Sequence, residues 1–169
     1  MTRRFFIENK ALDVEALKSF LFGTKGRDGS PSHPGAPYAP EVRPYLNNLS
    51  AGALVTFEGR VRNQNEGKEV RALEYEAYLP LAEKEGEKIL EEALAKFDIL
   101  DVLCVHRMGK LTLGEIAVWV GVLARHRREA FQACETIIGE VKHRVPIWKK
   151  EHYASGQAQW VNCAGCAHS

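Results

Sequence analysis

The chain lacks any stretch of the ~18 consecutive apolar residues that a membrane-crossing helix requires. Its opening residues, Met1-Thr2-Arg3-Arg4-Phe5-Phe6, run at once into charge where a signal peptide would be apolar. The two absences predict a soluble, cytoplasmic protein. Charge of one sign is lacking too: 23 Lys and Arg face 22 Asp and Glu, a net charge of +1, without the strong basic balance typical of nucleic-acid domains. Neither GxGxxG nor GxxxxGK followed by Ser or Thr occurs, so no phosphate-cradling glycine loop is expected. Cysteine is scarce. Cys104 and Cys134 sit in apolar stretches and read as buried free thiols. Cys163, Cys166 and His168 do not supply the four ligands of a structural zinc site, and c-type haem attachment needs His directly after the second Cys. No metal or other cofactor is expected, and 163–169 reads as a flexible tail.

What is present suffices for one core. With 169 residues, 45% of them apolar, the chain is long enough for a sizeable interior and too short for two comfortable domains. A single domain over 1–169 is expected. Arg4 to Glu8 reads as a short strand, and Asp13 as the N-cap of a helix carrying Val14, Leu17, Phe20 and Leu21 at helical spacing. Residues 23–48 hold five of the seven prolines and four glycines and predict a long loop. Gly52–Arg62 and Lys68–Tyr78 are strand-like, and Asn63-Gln64-Asn65-Glu66-Gly67 between them suits a hairpin loop. Leu81–Phe97 is amphipathic, with Ala82, Ile89, Leu90, Ala93, Leu94 and Phe97 on one stripe, which predicts a helix. Leu100–Val105 and Glu115–Leu123 predict strands, with turn chemistry at Met108-Gly109-Lys110 and Gly114. A third helix starts near His126 and stops before Pro146. Ile147–Tyr153 and Gln157–Val161 suit a last hairpin around Gly156. Helices set apart from antiparallel strands make this an α+β domain with three main helices.

The distribution of charge is informative where its sum is not. Arg125, Arg127, Arg128, Lys142, Arg144, Lys149 and Lys150 face only Glu129, Glu135 and Glu140 in the same stretch. Cations at the start of the third helix oppose its dipole at a cost of ~0.3–1 kcal/mol each. That placement reads equally as a solvated basic turn or as an anion site built with the free backbone N–H groups. Lys142, near the helix end, reads as a dipole partner or as a reactive amine beside Lys149 and Trp148. Arg60 and Arg62, two apart on a strand, share a face and grip an anion or simply face water. Glu74, Glu76, His106 and Arg107 read as structural.

In order along the chain, these residues resemble a family. Gly52-Ala53, Phe57-x-Gly59-x-Val61-Arg62-Asn63, Leu73-Glu74-Tyr75-Glu76-Ala77-Tyr78, His106-Arg107-x-Gly109, Gly114-Glu115, His126-Arg127-x-x-Ala130-Phe131 and Lys142-x-x-x-Pro146-Ile147-Trp148-Lys149-Lys150-Glu151 are similar to the large, catalytic subunit of molybdopterin synthase, over about residues 52–162. The resemblance implies an α/β-hammerhead fold and a central homodimer. It implies a heterotetramer too, in which each large subunit binds a small ubiquitin-like sulfur carrier ending in Gly-Gly. It further implies transfer of sulfur from the carrier's C-terminal thiocarboxylate to cyclic pyranopterin monophosphate, forming the dithiolene of molybdopterin, with no metal in the large subunit. Carried over by position, Lys142 and Lys149 are the expected catalytic residues. Arg62, His126 and Arg127 are the expected anion-holding positions, with Arg60, Val61, Lys150 and Glu151 at neighbouring binding positions.

Overall fold

The structure, a computed structural model, describes residues 3–22 and 49–161. The expected 23–48 loop and the cysteine-bearing tail lie outside the described residues. Among the described residues twelve elements follow one another: β1 (Phe5–Glu8), α1 (Val14–Phe22), β2 (Ala53–Arg60), β3 (Gln64–Asn65), β4 (Lys68–Ala77), α2 (Leu79–Lys96), β5 (Ile99–Arg107), β6 (Gly109–Thr112), β7 (Ile116–Ala124), α3 (Arg127–Arg144), β8 (Ile147–Tyr153) and β9 (Ala158–Val161).

A four-stranded sheet in the order β1-β5-β7-β2 carries most of the core; β1 runs parallel to β5, and the other pairs are antiparallel. Strands β5 and β7 are apolar almost throughout because both faces of this sheet are covered. On one face Val102, Cys104, Val118, Val120 and Val122 meet Ile89, Leu90 and Ala93 of α2 and Cys134, Ile137 and Val141 of α3. The alternate residues Leu103, Val105, Trp119 and Leu123 meet Leu17, Phe20 and Leu21 of α1. Helix α1 is held at its start by Asp13, whose Oδ1 accepts from the Ala16 N–H at 3.0 Å. Two glycines set how closely the layers approach. A side chain at Gly86 would meet the Phe5 ring, and one at Gly121 would run into Trp119 and Leu21. Cys104 and Cys134 are buried free thiols, as their setting predicts.

The second sheet follows the order β3-β4-β8-β9, with β6 also on β4. Since β8 pairs with Val70–Ala77 of β4 while β6 pairs with Ala72–Tyr75, β6 and β8 flank opposite edges of that strand. Its apolar underside is small: Val61, Val70, Leu73, Leu111, Ala117 and Tyr153.

Two local expectations are corrected. Strands β2 and β4 are not paired; β2 lies against β7 in the first sheet and β4 belongs to the second. The register of β2 shifts between Gly59 and Arg60, and Val61, 3% exposed, turns inward to exchange hydrogen bonds with Glu115 and Gly114. The turn signal is real but serves a smaller hairpin, β3 with the start of β4, around Glu66 (φ 47°) and Gly67 (φ 75°). Two successive left-handed residues match the twist of a two-residue hairpin. The second lies between β5 and β7, where turn chemistry was expected at Met108-Gly109-Lys110 and Gly114 and no strand between them. Gly109–Thr112 forms β6, and the positive-φ glycines Gly109 (79°) and Gly114 (82°) sit at its two ends. The long β4 offers an open edge there, which β6 satisfies.

Candidate active site

Where the two sheets and the end of α3 meet lies a cavity of about 990 Å³, at the upper end of the usual range for small-molecule sites. The last turns of α3 supply Ile138, Val141, Lys142 and Val145, and β8 supplies Ile147, Lys149 and Glu151. Val145 is extended (φ −73°, ψ 126°) ahead of Pro146, so the helix stops and the chain returns along β4. That reversal brings Lys142 and Lys149 to one cavity. The end of α3 is clamped in place: Arg144 is bound by Glu85 and Glu92 of α2 and by Glu140, so it lends no free charge to the cavity.

The two lysines differ in setting. Lys142 is exposed, with its Nζ 5.8 Å from the centre of the Phe57 ring, a cation–π distance. Lys149 is 9% exposed and its Nζ lies 2.9 Å from Glu151 Oε1. Glu151, 1% exposed, also accepts from Asn65 Nδ2 at 3.0 and 3.1 Å and from the Tyr153 hydroxyl at 2.8 Å. Burial pushes the Glu151 carboxyl up, but the hydrogen bonds from Lys149, Tyr153 and Asn65 outweigh it and hold the group below its usual value. The same bond to Glu151, with burial second, pushes the Tyr153 hydroxyl up to about 12. Asn65 ties the small β3–β4 hairpin to this network, and Gln64, Asn65, Glu66 and Gly67 form part of the cavity wall.

Arg60 and Arg62 both line the cavity. Arg60 is held at the mouth by Glu58 (2.6 and 3.0 Å) and by the Gly114 carbonyl (2.9 Å). Arg62 is exposed. The other expected positions lie elsewhere. Val61 is buried beneath the second sheet. Lys150 points to the opposite face of β8, its Nζ 5.4 Å from the Trp160 ring centre. His126 caps α3 without a side-chain hydrogen bond, and both it and Arg127 are exposed. With Arg127 opening α3 and Lys142 fifteen residues on, a rise of 1.5 Å per residue sets them about 22 Å apart along the axis. Within one protomer they do not converge.

Asn65, Tyr75 and His106 line the cavity and were not singled out for the site by sequence, nor was Tyr153, which donates to Glu151 without lining the cavity itself. The inward period of β8 carries Lys149, Glu151 and Tyr153 together, and that alternation was the available signal. Arg107 is structural as expected, bonded to Glu115 at 2.7 Å, and this contact, with the Thr112 N–H, holds Glu115 down near about 2. His106, expected to be structural, lines the cavity.

Comparison with known proteins decides the family. The model of the MoaE protein family matches residues 36–144, and the molybdopterin synthase catalytic subunit of Pyrococcus abyssi is 49% identical over 69% of this chain and 78% of its own length. The chain belongs to the MoaE family. A second such catalytic subunit, from Thermoplasma volcanium, is 46% identical over 65% of this chain and 80% of its own. Among solved MoaE-like structures, molybdopterin synthase from Staphylococcus aureus superposes with a TM-score of 0.72 at 31% identity, covering 95% of this chain and 97% of that one. The MoaE protein of Burkholderia ambifaria gives 0.70 at 30% identity, over 95% and 90%. With those structures the chain shares a mixed α+β architecture; its described residues form three helices and largely antiparallel sheets. Among the described residues no helix is long and apolar enough to cross a membrane.

Proposed function

We propose that this chain is the catalytic subunit of a cytoplasmic molybdopterin synthase, a sulfurtransferase that moves sulfur from the C-terminal thiocarboxylate of a small ubiquitin-like carrier to cyclic pyranopterin monophosphate. The observation that carries the reading is a cavity that joins Lys142 and Lys149 with Arg60 and Arg62 in a member of the MoaE family. Both substrates are anionic, and Lys142 and Arg62, which form no ion pair among the described residues, suit them, with Arg60 and Lys149 held beside them by Glu58 and Glu151. Lys142 reaches the reacting atoms and stabilises charge or moves a proton as the acyl–sulfur bond breaks. Lys149, charge-paired with Glu151, holds its ammonium fixed beside the same centre. Arg62 grips the phosphate or the carrier's terminal group, and Arg60 and Glu151 frame the binding region, while Lys150 lies on the opposite face of β8.

The chain is read as a single α/β-hammerhead domain. It pairs into a homodimer and binds one carrier per protomer, a heterotetramer. The homodimer also answers the distance between the ends of α3: His126 and Arg127 of a second copy complete the anion site that Lys142 and Arg62 begin. Two variants test the sharing. Lys142→Ala and Arg127→Ala chains, each impaired alone, regain activity when mixed, because one of the two sites in a mixed dimer is intact; no recovery in proven mixed dimers contradicts it. The whole reading is tested by incubating the protein with thiocarboxylated carrier and the cyclic precursor and measuring molybdopterin. Product is expected, and its absence overturns the proposal.

A further inference from the structure

His106 stands near the end of β5, where that strand forms part of the cavity wall. It is 8% exposed. Its Nδ1 lies 2.8 Å from the Arg107 carbonyl, which only accepts, so the proton of the neutral ring sits on Nδ1 and the lone pair on Nε2. The ring of Tyr75 meets it edge-on, 5.1 Å between centres at 75°, and fixes its plane. Nε2 makes no hydrogen bond with a described residue, nor is it among the sealed atoms that lack a partner. Since His106 lines the cavity, Nε2 is the ring nitrogen left to a ligand there. Of the other buried polar groups on this wall, Glu151 is taken by three donors and Lys149 by Glu151. Burial, aided by the charge of Lys142 and opposed by the Arg107 bond, pushes the imidazole down to about 4, so it meets substrate as a neutral acceptor.

The chemistry calls for such a group. When a thiocarboxylate sulfur attacks carbon, the new C–S bond forms as a carbon–oxygen bond at that carbon breaks and its electron pair leaves on the oxygen, so the sulfur is left in a thioester between the carrier's terminal carbonyl and the pterin. Release needs water. Its oxygen bonds to the acyl carbon, the acyl C–S bond breaks, the sulfur stays on the pterin as a thiolate, and the carrier leaves as a carboxylate. One proton of the water must go to a base; the other is lost when the new carboxylic acid ionises. We infer that Nε2 of His106 is the base that takes the proton from this attacking water, then passes it to solvent. The inference rests on the sulfur-transfer reading above.

The test is a single turnover of the full chain with thiocarboxylated carrier and cyclic precursor, quenched and read by intact mass. His106→Asn keeps a donor near the Nδ1 position and removes the lone pair; His106→Gln returns an acceptor that is not basic. Both are expected to form the carrier–pterin adduct at the wild-type rate and to hydrolyse it about 10²–10⁴-fold more slowly, with added imidazole restoring part of the rate in His106→Asn. Adduct hydrolysis by the wild type, which needs no variant to fold, is expected to slow in heavy water. Wild-type hydrolysis in both variants, slow hydrolysis that imidazole does not relieve, or a wild-type rate unchanged in heavy water overturns the role of His106. A wild-type protein that forms neither adduct nor product overturns the sulfur-transfer reading, and this inference with it.

Discussion

Strands β7 and β8 are both flanked on each side by other strands, yet they are built to opposite rules. β7 is buried at eight consecutive positions, Ala117 to Ala124, and all of them are apolar or glycine. β8 alternates, and three of its inward positions are Lys149, Glu151 and Tyr153. The first strand has α2 and α3 on one face and α1 on the other, so dispersion and water exclusion are satisfied everywhere. The second faces a cavity and buries an ion pair, which costs desolvation that an apolar pair would not incur. A fold departs from its cheapest packing where chemistry requires it.

Removing one member of the buried pair breaks the comparison most severely. Glu151→Ala leaves Lys149 without its partner and is expected to cost about 3–5 kcal/mol of unfolding free energy, measured by denaturant titration, together with activity. Replacing both, Lys149→Met with Glu151→Leu, is expected to regain most of the stability and none of the activity. A double variant as unstable as the single one would mean the pair holds the fold itself.

The acid limb sharpens the point. Because the Glu151 carboxyl is held below its usual value, its contribution is full above the ordinary carboxylate pKa of about 4.3 and is lost as pH falls through the lower folded value. The difference in Tm between wild type and Glu151→Gln is therefore expected to be constant near neutrality and to vanish in acid. In the apolar layer, Ile89→Val, at a 2% exposed position of α2, is expected to cost about 0.5–1.5 kcal/mol and leave turnover unchanged. Arg127→Ala, exposed at the start of α3, is expected to shift stability by no more than about 0.5 kcal/mol while weakening precursor binding, read by calorimetry. Unchanged affinity would remove Arg127 from the anion site.

The apolar half of the molecule was plainest in sequence, because periods of two and 3.6 residues are local. Leu17, Phe20 and Leu21, the stripe of α2, and the end of α3 ahead of Pro146 all fall where those periods place them. Strand partnership is not local. The turn at Glu66–Gly67 was visible, but that β2 crosses to β7 depends on a register shift at Gly59–Arg60 and on Val61 turning inward, which no window of sequence displays. Likewise the cavity's cations stood out as charged residues, whereas Asn65, Tyr75 and His106 on its wall, and Tyr153 bonded to Glu151, acquire meaning only from their neighbours in space. His126 and Arg127 carry the opposite lesson: adjacent to the site in motif order, they lie at the far end of the helix from it.

In the proposed function sulfur changes hands in the cavity at the end of α3, where Lys142 reaches the reacting atoms. The most direct test is Lys142→Ala in single turnover with thiocarboxylated carrier and cyclic precursor, with carrier affinity measured alongside. The account predicts a fall of about 10²–10⁴ in the rate of molybdopterin formation, with carrier binding and Tm retained. Near-normal molybdopterin formation with the carrier still bound would contradict it.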